Sequence, residues 1–182
     1  QFDNIANYKG HYETTGREIW NQTEGKIDAF TCSSGTGGTI AGVGAALKER
    51  NKSVKIVLSD PKGSCLYNHI KNGELKSEGN SITEGIGSSR VTKNFEKAPI
   101  DDAYSINDND ALTVLFELLE TEGLNLGTSS GINIAGAIKL AEHMGPNHTI
   151  VTILCDTSDK YKSKMFNKKF LVDKGLPYPK WL

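Results

Sequence analysis

Two hydroxyl- and glycine-rich segments carry most of the chemistry that these 182 residues can offer. The first, Ser33-Ser-Gly-Thr-Gly-Gly-Thr39, follows the apolar run Ile27–Cys32 and leads straight into a helical pattern from Ile40 to Glu49. Glycines let backbone N–H groups approach an anion closely, and the first turn of a helix leaves its own N–H groups unpaired. The positive end of the helix dipole and the hydroxyls of Thr36 and Thr39 complete a cradle for the phosphate of a small molecule. The second segment, Gly127-Thr-Ser-Ser-Gly131, also precedes a helical pattern. Taken singly, the first also admits reading as a tight strand-to-helix turn, against which its four hydroxyls argue, and the second as a hydroxyl N-cap. Two such loops on one sheet make a better case, because one can hold a phosphate while the other addresses a ring nitrogen.

Other chemistries fit less well. No lysine follows the glycines, which excludes a Walker A loop. Gly35-Thr-Gly37 supplies two glycines of a dinucleotide fingerprint, and Asp60 ends the next strand where a ribose-binding acid belongs, but Ile40 occupies the third glycine position. His11, His69, His143 and His148 are scattered without metal-like neighbours, so they read as surface or supporting residues and no metal is expected. Cys32 and Cys155 lie in strand-like runs and read as buried inert thiols, whereas Cys65 sits in a polar stretch and reads as more exposed. Three cysteines without a CxxC suit a reducing cytosol. Asp60 and Asp156 read first as caps of the turns that follow them, and Tyr161 as either core or site wall. A net charge of −1, with 24% charged residues, suggests neither a nucleic-acid nor a membrane partner. The chain starts with Gln1 and no leader-like segment, so it is expected to begin inside a longer protein.

The elements that position these residues alternate between strand and helix. Tyr8–Gln22 reads as one or two helices with a break at Gly16 and a cap at Thr14 or Thr15. Strands are expected at Ile27–Cys32, Val54–Ser59 and Ala103–Ile106, with Ile150–Cys155 the most convincing buried strand. Residues 62–81 are polar and turn-rich, and read as a mobile surface excursion; Ile82–Gly87 is a loop with a second glycine pair. Asn107 or Asp108 caps a helix bearing Leu112, Leu115, Phe116 and Leu119 on one face, which Gly123 ends. Helix Ile132–Met144 carries a stripe of Ile134, Ile138 and Ala141, and a basic tail runs from Lys160. This order predicts one α/β domain with three layers, an open and mostly parallel sheet with helices on both faces. Ligands gather at the carboxyl ends of such strands, where both loops and Asp156 fall.

Five motifs, Gln1-Phe-Asp-Asn-Ile-Ala-Asn7, Gly35–Thr39, Thr83-Glu-Gly-Ile-Gly87, Gly127–Asn133 and Ile153–Asp156, resemble in order those of cysteine synthases. These O-acetylserine sulfhydrylases are pyridoxal-phosphate enzymes of the tryptophan-synthase-β fold type. The resemblance extends to Trp181-Leu182, and cystathionine β-synthase cores share most of it. It implies pyridoxal 5'-phosphate held at its phosphate by Gly35, Thr36, Gly37, Gly38 and Thr39, with Ser129 on the pyridine nitrogen. Gly85, Ile86 and Gly87 would form the loop beside the substrate cleft. The implied reaction replaces the acetoxy group of O-acetylserine by sulfide, giving cysteine and acetate, in a cytoplasmic homodimer. A serine hydroxyl does not keep a proton on the pyridine nitrogen as a carboxylate does, which favours quick loss of a β-leaving group.

The departures are as informative. In this family the Schiff-base lysine, the loop gripping the substrate carboxylate and an asparagine facing the cofactor lie before the Gln-Phe-Asp-Asn motif. No catalytic residue is therefore assigned within the chain. Residues 1–182 read as a carboxy-terminal part holding most of the large cofactor domain, without the lysine-bearing segment and smaller domain, and inactive alone. The alternatives are β-replacement of the cystathionine β-synthase type, a non-catalytic module for a phosphorylated ligand, and a nucleotide-dependent dehydrogenase.

Overall fold

The computed structural model describes all residues from 1 to 182. Four short strands, β1 (Ala29–Cys32), β2 (Lys55–Pro61), β3 (Asp102–Ile106) and β4 (Ile150–Val151), pair in parallel in the order β3-β2-β1-β4. The helices are α1 (Ala6–Glu13), α2 (Thr15–Gln22), α3 (Gly38–Arg50), α4 (Leu66–Asn72), α5 (Asp108–Glu122), α6 (Thr128–Met144), α7 (Lys162–Met165) and α8 (Lys168–Asp173). Successive strand residues face opposite layers. Phe30, Cys32, Ile56 and Leu58 pack with Ile40, Val43 and Leu47 of α3. On the other face Ala29 and Val57 meet Leu140 of α6, and Ile106 meets Ile132 and Ala135. This is the expected three-layer architecture.

Strand order fixes where a ligand can enter. From β1 the chain moves outward to β2 and β3 by way of α3 and α4. It then returns along α5 and α6 to place β4 on the far side of β1. The direction of winding therefore reverses between β1 and β4, leaving a crevice at their carboxyl ends. The return is well specified locally. Asn107 Oδ1 accepts the N–H of Asp110 at 2.8 Å, acidic side chains occupy the first turn of α5, and Gly123 ends it at φ 69°.

Several expectations need correction. The break in the first helical pair falls at Thr14, and Gly16 lies buried within α2 because it packs against Ala46 of α3. Part of the supposed excursion is helical: α4 forms, and Cys65 and Leu66 join the main core. Thus Cys65 is buried and Cys155 exposed, the reverse of the sequence reading. The buried face of α6 is Ile132, Asn133, Gly136 and Leu140, while Ile138 and Ala141 face outward and Ile134 is half-buried. Strand β4 stops at Val151 because side chains of α6 take up the backbone groups beyond it. Asn133 Nδ2 donates to Ile153 O at 2.8 Å, and Cys155 N–H donates to Ser130 Oγ at 2.9 Å. No strand covers the outer edge of β4, and Leu154 is 52% exposed.

Helix α6 approaches the sheet most closely at Gly136, where a methyl group would overlap Ser59 Oγ. That hydroxyl cannot step aside freely, since it shares a 2.8 Å hydrogen bond with Thr31 Oγ1. Replacing Gly136 by Ala should destabilise the fold by about 1–3 kcal/mol in urea unfolding, despite the better helix propensity of alanine, and Ser59→Gly should restore most of the loss.

Asp60, at the end of β2, is fully buried. Its Oδ2 accepts the N–H of Tyr67 at 2.7 Å, while Oδ1 has no partner. Burial outweighs these hydrogen bonds and pushes the carboxyl up to about 6. In an unfolded chain it titrates near about 3.9, so folding disfavours the ionised form. Well below pH 4 the group is protonated in both states and exerts no penalty; the penalty builds as pH rises from about 4 to about 6 and is constant above, at about 3 kcal/mol. Asp60→Asn should therefore gain stability relative to the parent by about that amount between pH 4 and pH 7, measured by paired urea melts.

Candidate functional site

A cleft of about 310 Å³ opens at the carboxyl ends of β1 and β4, where the winding reverses. Its floor and one end come from the turn after β1. Gly37 sits at φ 87° and begins α3, and the N–H groups of Thr36 through Ile40 donate to no backbone carbonyl. Thr36 Oγ1 accepts from Asn7 Nδ2 at 2.7 Å and from Gly38 N–H at 3.3 Å, which leaves its own proton free to point outward. Thr39 Oγ1 lies 3.2 Å from His11 Nε2, whose ring is held from behind by Thr15 Oγ1 at 3.0 Å. Burial holds the His11 imidazole below its ordinary pKa, so it acts as a neutral partner. With Nε2 protonated, His11 would donate to Thr39 and turn the threonine proton toward the cleft. The result is a ring of unpaired donors at a helix N-terminus, without a cationic side chain.

The opposite end belongs to α6 and the chain after β4. Gly127 occupies the N-cap, and no side chain caps the helix, so the serines there are not spent on capping. Ser130 accepts from Cys155 N–H, whereas Ser129 lines the cleft and its hydroxyl engages no protein group. One turn further along α6, Asn133 Oδ1 accepts the N–H of Ser33 at 2.7 Å and its Nδ2 reaches Ile153 O and Cys155 Sγ. Asp156 Oδ2 accepts from Tyr161 Oη at 2.9 Å, while its Oδ1 is buried against Gly127 without a partner. Burial, reinforced by Asp156, pushes the Tyr161 phenol up to about 12. Burial also raises the Cys32 thiol, aided by nearby Cys155, so Cys32 stays uncharged.

Of the residues singled out in the sequence, Gly35, Thr36, Thr39, Ser129, Gly85 and Ile86 line this one cleft. Gly37 and Gly38 sit behind it, pressed against Phe95 and Asn7 respectively. Gly87 lines a neighbouring polar hollow instead. The two glycine loops touch, since Gly35 lies directly on the carbonyl of Gly85. Sequence reasoning missed Asn133, Glu84 and the backing role of His11. The i to i+4 spacing of Ser129 and Asn133 was a usable signal, because it puts both on one helical face. Nothing local marks His11, which reaches Thr39 across 28 residues. No lysine or arginine lines the cleft, and no three His, Cys, Asp or Glu side chains are grouped to hold a metal. No helix is long and apolar enough to cross a membrane.

The residues present fit pyridoxal phosphate: unpaired donors at one end suit a phosphate, and a free serine hydroxyl at the other suits a ring nitrogen. Comparison with known proteins agrees. The family model described as pyridoxal-phosphate dependent enzyme matches residues 1–156. The chain is 46% identical over 181 residues to cysteine synthase 1 of Emericella nidulans, covering 97% of this chain and 49% of that one. It is 37% identical to the O-acetylserine dependent cystathionine beta-synthase of Bacillus subtilis, covering 90% and 51%. Among solved structures, a hydrogen sulfide-producing enzyme complexed with an alpha-aminoacrylate intermediate superposes with a TM-score of 0.81 at 31% identity, over 92% of this chain and 49% of that one. The chain spans about half the length of these relatives. Its fold, its motifs and the family match over most of its length together place it among the pyridoxal-phosphate dependent enzymes.

Proposed function

We propose that the chain is the cofactor-holding part of a cysteine synthase, and that residues 1–182 form most of its large domain. The carrying observation is that one cleft brings Thr36 and Thr39 of the helix start together with the uncommitted hydroxyl of Ser129. In this reading the free N–H groups at the start of α3, that of Gly38 being already shared with Thr36 Oγ1, and the two threonine hydroxyls bind the cofactor phosphate. Ser129 donates to or accepts from the pyridine nitrogen without charging it, and Gly85 and Ile86 wall the space where the amino-acid substrate lies. Bound there, pyridoxal phosphate supplies the electron sink for replacing the acetoxy group of O-acetylserine by sulfide.

No lysine lines the cleft, so the lysine that holds the cofactor covalently would come from polypeptide outside these residues. The uncovered edge of β4 and the exposed Leu154 beyond it support this, since such an edge is suited to further strands. Free cysteines throughout fit a cytoplasmic setting, and a homodimer is carried by family resemblance. The relative from Bacillus subtilis supports a second reading, in which the incoming thiol is homocysteine rather than sulfide.

The full-length protein should form cysteine from O-acetylserine and sulfide faster than cystathionine from O-acetylserine and homocysteine; the opposite ratio selects the second reading. Activity with neither thiol, together with no visible absorbance from bound cofactor, would leave a ligand-binding module. Thr36→Val and Thr39→Val should each weaken binding of pyridoxal phosphate about ten- to hundredfold in equilibrium dialysis, since each removes a hydrogen bond to a charged group. Ser129→Ala should retain binding within about tenfold and shift the absorbance of the bound cofactor.

A further inference from the structure

The loop Thr83-Glu-Gly-Ile-Gly87 walls the cleft through Glu84, Gly85 and Ile86, yet no backbone hydrogen bond holds those three residues. Both ends of the loop are pinned. Upstream, Ser81 Oγ and the Ile82 N–H donate to the Asp108 carboxylate at the start of α5, the latter at 2.8 Å. Downstream, the Gly87 N–H donates to Ser34 O at 2.8 Å, and Ser88 N–H donates to Ser64 Oγ at 3.0 Å. Between the pins, Gly85 and Gly87 adopt φ 79° and 81°, conformations that favour glycine and leave the span easy to re-aim.

One side chain grips the middle of this span. Lys164 of α7 donates to Ile82 O at 3.3 Å and pairs with the Glu84 carboxylate. Its own base is firm, because the neighbouring Tyr161 and Met165 are buried with Leu112, Leu115 and Phe116 of α5. Ile82 packs against the same cluster. Helix α5 therefore carries the upstream pin through Asp108 and supports the lysine that holds the tip.

We propose that Lys164 is a positioning residue, which keeps the Glu84–Ile86 wall against the cleft so that α7 sets the width of the ligand space. The proposal rests on the functional reading only in taking this cleft as the ligand site. The Lys164 and Glu84 side chains are 31% and 59% exposed, so their pairing is a latch rather than a weld. Losing it should raise the open population of the loop by about two- to fivefold.

Amide hydrogen exchange on the full-length protein tests this without reference to the reaction. Lys164→Ala and Glu84→Gln should each speed exchange at the hydrogen-bonded Ile82 and Gly87 amides flanking the tip by about two- to fivefold and leave β1 and α6 unchanged. High salt should do the same to the parent but not to either variant, because it screens an exposed pair. The charge-swapped double variant, Lys164→Glu with Glu84→Lys, should return exchange toward the parent rate. In assays with O-acetylserine, the single variants should raise KM more than they lower kcat. Unchanged exchange at the loop, acceleration spread equally over the whole chain, or a swap that exchanges as fast as the single variants would each overturn the proposal. Loop effects as expected in a protein that makes no cysteine would defeat the functional reading and leave this one standing.

Discussion

Where the sheet reverses its winding, β1 and the chain after β4 must part so that a ligand can enter between them, and Asn133 spans that gap. Its carboxamide accepts from Ser33 on one side and donates to Ile153 and Cys155 on the other. An amide is suited to this because it offers donor and acceptor on one rigid plane, so that both strand ends are satisfied without charge. Almost wholly buried, it leaves few alternatives for the backbone groups it serves, and each left unpaired would cost about 1–3 kcal/mol. The placement of Ser129, one turn earlier on the same face, follows from this anchoring. So does the early end of β4, whose backbone at Ile153 and Cys155 is bonded to α6 while only the Thr152 hydroxyl still reaches β1.

On the proposed reading the cleft would hold an anion without a counter-cation, since no lysine or arginine lines it. Its polar character comes from backbone N–H groups at the start of α3 and from hydroxyls, while His11 stays neutral and the Cys32 and Tyr161 protons are held firmly. Fixed dipoles need little rearrangement when charge arrives, and they change little with pH over the neutral range. The carboxylates in the cleft wall, Glu84 and Asp156, are each paired, the first with Lys164 and the second with Tyr161 and Lys160.

Much of this was legible in the chain. Strong strand-to-helix punctuation gave β1, α3, β2 and α5 to within a few residues, because glycine, Asn107 and Gly123 act locally. What failed were judgements that depend on the third dimension. Ile134, Ile138 and Ala141 have helical spacing, but α6 buries Gly136 and Asn133, which no hydrophobic count would choose. Ile150–Cys155 looks like a central strand by composition, yet it lies at the rim and pairs over two residues. Residues 62–72 look like loop, yet Asp60 and Gly73 bracket a short helix there. For the site, residue types pointed to Thr36 and Thr39, and the family resemblance to Ser129. His11 and Lys164 reach it from distant segments and left no trace in local pattern.

The contact between Gly35 and the Gly85 carbonyl has a further bearing. Two loops lining one cleft share a van der Waals boundary with no side chain between them, so each limits how far the other can move inward. A side chain at position 35 would strike that carbonyl and push the Glu84–Ile86 wall outward, so the closeness of the two loops hangs on one missing methyl group.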